Sequence, residues 1–104
     1  MQQPQKIDIL RYIPFGYRNG ITSSELAAHI GATAREVRKL ISEARQETVI
    51  LNMQDGTGYF RPDEGEDDLV DRWLLQEESR LKQHALALRA ARQDRRKRRD
   101  DDGS

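Results

Sequence analysis

Thr22-Ser-Ser-Glu-Leu-Ala-Ala-His-Ile-Gly-Ala-Thr-Ala-Arg-Glu-Val-Arg-Lys-Leu-Ile-Ser-Glu-Ala44 reads as two short helices joined by a tight turn. Each helix opens on a capping box, Thr22-x-x-Glu25 and Thr33-x-x-Glu36. In such a box the Thr hydroxyl accepts from an orphan backbone N–H, and the Glu reaches back to the cap. Ile21 precedes the first cap and Leu26 lies four residues into the helix, which is hydrophobic-staple spacing; Ala32 and Val37 repeat it. Gly31 stands between the helices, where a tight turn calls for positive φ.

Apolar spacing then divides the faces. Leu26, Ala27 and Ile30 form one stripe on the first helix, and Val37, Leu40, Ile41 and Ala44 form an i, i+3, i+4, i+7 stripe on the second. The remaining face of the second helix carries Thr33, Ala34, Arg35, Arg38, Lys39, Ser42 and Arg45. An amphipathic hairpin with a solvated basic face carries the same pattern. So does a helix-turn-helix whose second helix reads a major groove. In that reading Thr33, Ala34, Arg35, Arg38, Lys39 and Ser42 face the bases, and Arg45 faces phosphate.

The next residues favour the second option. Val49-Ile50-Leu51-Asn52-Met53 is rich in strand formers, Gln54-Asp55-Gly56-Thr57-Gly58 is turn chemistry, and Tyr59-Phe60-Arg61 returns as a second strand. Pro62 stops the ladder. A recognition helix followed at once by a hairpin is the order of a winged helix. On that reading Arg61 and the loop residues Gly56, Thr57 and Gly58 contact phosphate, since Arg and backbone amides both suit phosphate oxygens. A hairpin that merely lids the helices would look alike.

Residues 7 to about 92 resemble the small winged-helix DNA-binding proteins of bacterial phages and prophages. The matching pieces are Ile13-Pro14-Phe15-Gly16, Asn19-Gly20-Ile21-Thr22, Arg35-Glu36-Val37-Arg38 and Gly58-Tyr59-Phe60. Where such proteins usually carry Gly after the recognition helix, this chain has Gln46-Glu47-Thr48. The resemblance implies binding of double-stranded DNA in a phage-like setting, in transcription regulation or replication, and no enzymatic activity.

Composition sets the bounds. The chain has 104 residues, 35% of them charged and 36% apolar. That charge content exceeds the ~25% typical of globular chains, so one small core is expected, from residues 7 to 62. No long apolar run or signal-like N-terminus is present, so a cytoplasmic protein of a bacterial host cell with no membrane partner is expected. Cysteine is absent, which excludes disulfides and thiolate metal sites. The net charge of zero hides a segregation. Residues 1–61 hold eight Lys/Arg against six Asp/Glu, residues 62–88 three against eight, and residues 89–104 seven against four. Local charge governs phosphate affinity, because salt screens interactions beyond ~8–10 Å.

Outside the central domain, residues 1–6 are expected to be disordered, and Ile7–Ile13 forms a short first helix ended by Pro14. Ile21 adds a short strand beside the hairpin. Asp63-Glu-Gly-Glu-Asp-Asp68 suits a helix start, since carboxylates oppose the positive end of the helix dipole. From Leu69 to Arg98 there is no Gly or Pro, so one long helix is expected over 63–98, with 99–104 a disordered tail. Leu74, Leu81 and Leu88 recur every seventh residue, with Trp73 near them, which marks a homodimer seam. The seam is weak, since its other positions hold Glu77, His84 and Ala91, or Asp71, Glu78 and Ala85. Packing of Val70, Trp73 and Leu74 onto the central core is the competing use. Arg95, Arg96 and Lys97 lie in a basic run suited to non-specific phosphate contact.

Catalytic and cofactor chemistry finds no foothold. Asp55-Gly56-Thr57-Gly58 lacks the lysine of a phosphate-binding loop, and His29 and His84 have no ligand-spaced companions. No cofactor or metal is expected. The reading that competes with DNA binding is a protein–protein adaptor or inhibitor of a host protein, acting through the acidic, leucine-bearing helix.

Overall fold

A computed structural model describes residues 7–102; the expectation for residues 1–6 falls outside them, as do Gly103 and Ser104. The order is a 3₁₀ turn over Ile9–Tyr12, a second over Tyr17–Asn19, α1 (Ser23–Ile30), α2 (Ala34–Ala44), β1 (Leu51–Asn52), β2 (Tyr59–Phe60) and α3 (Asp67–Asp102). The fold is mostly helical with one small antiparallel hairpin. It divides into two compact units, Met1–Trp73 and Leu74–Ser104.

Both capping boxes are formed. Thr22 Oγ1 accepts from the Glu25 amide at 3.1 Å, and the Glu25 carboxylate accepts from the Thr22 amide at 3.2 Å. Thr33 and Glu36 reciprocate at 3.1 Å in both directions. Gly31 closes α1 in the left-handed region (φ 68°, ψ 36°), as the turn requires. No such glycine ends α2. Arg45 keeps right-handed helical angles, and the amides of Gln46 and Glu47 bond back three residues to Glu43 and Ala44. That tightened last turn does the work of the missing glycine cap.

Packing follows the apolar stripes. Leu26, Val37 and Ile41 are fully buried with Ile9, Ile13 and Ile50, and Leu10, Ala27, Ile30, Leu40 and Ala44 pack around them. The α2 helix lies against α1 and the Ile9–Tyr12 turn. Truncating one of the central aliphatics to Ala would cost about 2–5 kcal/mol.

Three boundaries differ from expectation. The helix expected over 7–13 is only the 3₁₀ turn Ile9–Tyr12, because Asp8 caps it by accepting from the Leu10 amide and Pro14 forbids its extension. Each hairpin strand is two residues, with Leu51 opposite Phe60 and Asn52 opposite Tyr59. Arg61 instead bridges to Phe15 in parallel, so the hairpin leaves β1 and joins the Pro14 loop. The long helix starts at Asp67 rather than 63, since Gly65 (φ 83°) breaks the chain into a separate turn over 63–66. It runs on to Asp102, so residues 99–102 are helical and not a tail; neither Gly nor Pro occurs between Gly65 and Gly103. Its first residues, as far as Trp73, belong to the first compact unit.

Ile21 does pair with the hairpin. Its amide donates to the Tyr59 carbonyl at 2.9 Å, and the Tyr59 amide donates back at 2.7 Å. Gly58 makes this contact possible. It is buried at φ 96°, and a Cβ there would lie 2.3 Å from the Ile21 carbonyl oxygen. Gly56 has φ 87° but open space around it. Gly58→Ala should therefore cost about 2 kcal/mol or more, from backbone overlap added to strain, whereas Gly56→Ala should cost roughly 1 kcal/mol from strain alone. Urea denaturation of the two variants checks the difference.

Candidate nucleic-acid interface

The α2 helix separates its charges. Taking about 100° per residue, Arg38, Ser42, Arg35 and Lys39 fall about 100–200° around the axis from buried Val37. Glu36 and Glu43 fall at about 240–260°, on a neighbouring stripe. Arg35, Arg38, Lys39 and Ser42 are exposed, and none makes a side-chain hydrogen bond or ion pair with another described residue. Thr33 is exposed but its hydroxyl is committed to the capping box; Ala34 is half-buried at the helix start. Five of these six expected base-facing residues thus lie on α2, with Thr33 as its cap, and four of them present unengaged polar groups to solvent.

The expected phosphate contacts are not equivalent. Arg45 is half-buried at the end of α2, where its Nε donates to the Ile50 carbonyl at 2.9 Å. Its guanidinium lies 5.6 Å from the Tyr59 ring centre and 5.3 Å from that of Trp73. Cation–π contacts of this kind are worth about 0.5–2 kcal/mol each, depending on desolvation. Arg45 is a bracket between α2, the hairpin and the start of α3, so its Nε is already engaged within the fold. Arg61 is similarly engaged. Its Nε donates to the Ile13 carbonyl at 3.2 Å, and its guanidinium lies 4.0 Å from the Phe15 ring centre.

The hairpin loop is also committed to the fold. Thr57 donates its amide to Asp55 Oδ1 at 3.0 Å, and Gly58 is buried against Ile21, so neither amide is presented to a phosphate. Gly56 is exposed. The Tyr17 hydroxyl donates to the other Asp55 oxygen, placing a carboxylate in the loop where phosphate binding would need positive potential.

On α3, Arg95, Arg96 and Lys97 are exposed helical residues. Trp73 is half-buried beneath Arg45, while Leu74, Leu81 and Leu88 are 43%, 70% and 54% exposed. Among the described residues no group of three His, Cys, Asp or Glu side chains is placed to hold a metal ion. No helix of these residues is long and apolar enough to cross a membrane.

Two contacts escaped the sequence reading, Tyr17 with Asp55 and Arg45 with Trp73. Their partners are 38 and 28 residues apart, and neither pair belongs to a periodic pattern. Compared with protein-family models, curated proteins and solved structures, the chain matches none.

The Tyr17 hydroxyl, and after it the Thr57 amide, hold the Asp55 carboxyl below its ordinary pKa. Glu66 is lowered too, first by the Asp63 amide and then by the Tyr17 amide. A carboxyl that ionises at lower pH in the folded chain stabilises the fold fully above the ordinary carboxylate range. That contribution disappears as pH falls through the folded value. Asp55→Asn should therefore be less stable than the parent near pH 7, with the gap closing below about pH 4. Urea midpoints measured across that range give the comparison, and a gap independent of pH would refute the assigned hydrogen bonds.

Proposed function

We propose that the chain is a winged helix-turn-helix protein that binds double-stranded DNA with α2 in the major groove. The observation that carries this reading is the α2 face itself. Arg35, Arg38, Lys39 and Ser42 are exposed and unengaged, on a helix whose other side is locked into the core by Val37 and Ile41. Such anchoring holds the readers at fixed spacing, which base recognition demands. Arg35 and Arg38 are the guanine readers, since a guanidinium matches the paired acceptors of guanine. Lys39 and the basic run containing Arg95, Arg96 and Lys97 supply phosphate contacts. The hairpin acts mainly as a support for α2. The resemblance to phage proteins supports a role in transcription regulation or replication, in the cytoplasm of a bacterial host.

The test is a gel shift, first with random duplex at low salt and then with duplexes selected from a random pool. Binding should weaken steeply as salt rises, because bound phosphates release counterions. Arg38→Ala should lose about 1–3 kcal/mol on the selected site, roughly 5- to 150-fold, and relax the preference at one base pair. No shift of any duplex at low salt, or selected-site binding unchanged by both Arg35→Ala and Arg38→Ala, would refute the reading.

A further inference from the structure

The charges of α3 are ordered along its length. Between Asp67 and Glu78 there are five Asp/Glu and one Arg; between Arg80 and Arg99 there are nine Lys/Arg and one Asp. Only two ion pairs form within the helix among the described residues, Arg80 with Glu77 and Arg98 with Asp94, both at the surface. Asp71, Glu78, Arg89, Arg92 and Arg95 have no charged partner in the described chain. The same helix exposes Leu74, Leu81 and Leu88, which fall within about 40° of one another around the axis. An apolar stripe with unpaired acidic charge before it and unpaired basic charge after it, ahead of the terminal Asp100, Asp101 and Asp102, is a surface that complements its own reverse.

We propose that α3 pairs with α3 of a second copy of this chain in antiparallel orientation, crossing near Leu81 and burying Leu74, Leu81 and Leu88 in the seam. The charge order selects the orientation. A parallel pair sets the acidic half beside the acidic half and the basic half beside the basic half, and like charges so placed repel. Reversing one helix brings Asp67, Asp71 and Glu78 of each chain alongside the arginine-rich half of the other. The polar positions near the seam fit this arrangement as well. Crossing near Leu81 brings Glu78 of each copy toward the other's His84, whose ring N–H can donate to the carboxylate, whereas the parallel register sets Glu78 beside Glu78. The proposal uses neither α2 nor the hairpin, but it engages the basic run that the DNA-binding reading gives to phosphate, so the two compete for Arg95, Arg96 and Lys97.

The whole chain serves for the experiment, and its lack of cysteine makes one introduced thiol a unique label. Sedimentation equilibrium should show a dimer at micromolar concentration. Dissociation should increase tenfold or more between about 0.05 and 0.5 M NaCl, because salt screens the attraction. A parallel pair would tighten instead as its repulsion is screened. Spin labels on Gln93→Cys should lie roughly 30–40 Å apart across an antiparallel pair crossing near Leu81, against about 15 Å in a parallel one, at 1.5 Å rise per residue. Leu81→Glu should abolish the dimer while leaving the near-ultraviolet signal of the single Trp73 intact, which shows that the first unit still folds. A monomer at about 100 μM, a short label separation, salt-strengthened association, or a dimer unaffected by Leu81→Glu would each overturn the proposal, the first leaving the leucine stripe to a different protein.

Discussion

Ile21 and Tyr59 exchange two backbone hydrogen bonds, and most of the first unit's organisation is tied to that exchange. It joins the residue just ahead of the α1 cap to the second strand of a hairpin nearly forty positions later. Only glycine at position 58 lets the two backbones approach so closely, and Gly20 meets the Thr57 carbonyl under the same restriction, with room for a Cβ only 2.6 Å away. Once β2 is held there, Phe60 and Leu51 are buried, and Arg61 reaches the carbonyl of Ile13. Two strands of two residues each would be marginal alone. Their persistence depends on this attachment.

The second consequence concerns α2. Its buried side is closed by α1, by the Ile9–Tyr12 turn and by Ile50, while Arg45 draws the helix end toward Tyr59 and Trp73. A helix held at both ends and along one side has little freedom to rotate, so its outward residues keep a defined spacing. Two arginines that look interchangeable with their neighbours in the sequence, Arg45 and Arg61, thereby become structural. Arg35 and Arg38 do not. The difference between a supporting and an available guanidinium lies in the carbonyls and rings within reach, and not in the residue type.

Charge is distributed by region, so the overall neutrality says little about any one surface. The α2 face collects Arg35, Arg38 and Lys39 beside a separate acidic stripe, the turn over 63–66 and the start of α3 are acidic, and α3 is basic from Arg80 to Arg99 before three terminal aspartates. At ordinary ionic strength each region acts on its own neighbourhood, because screening confines the field to about 8–10 Å.

The two capped helices, the left-handed Gly31, the inward stripe of Val37, Leu40, Ile41 and Ala44 and the Ile21 strand were all legible in the chain itself. So was the exposure of Arg35, Arg38, Lys39 and Ser42. These follow from local rules: a cap acts over three residues, and helical periodicity over seven or eight. What the chain alone did not disclose was the commitment of Arg45, Arg61, Thr57 and Gly58 to the fold, or the Tyr17–Asp55 contact. Each depends on a partner from another element, brought near only when the hairpin docks on Ile21. Helix limits divided the same way: the absence of Gly and Pro from Leu69 to Arg98 announced α3, while its start at Asp67 depended on how residues 63–66 turn beneath Tyr17, whose amide donates to Glu66 at 3.0 Å. Local propensity set the elements; long-range packing decided which of their polar side chains remained available.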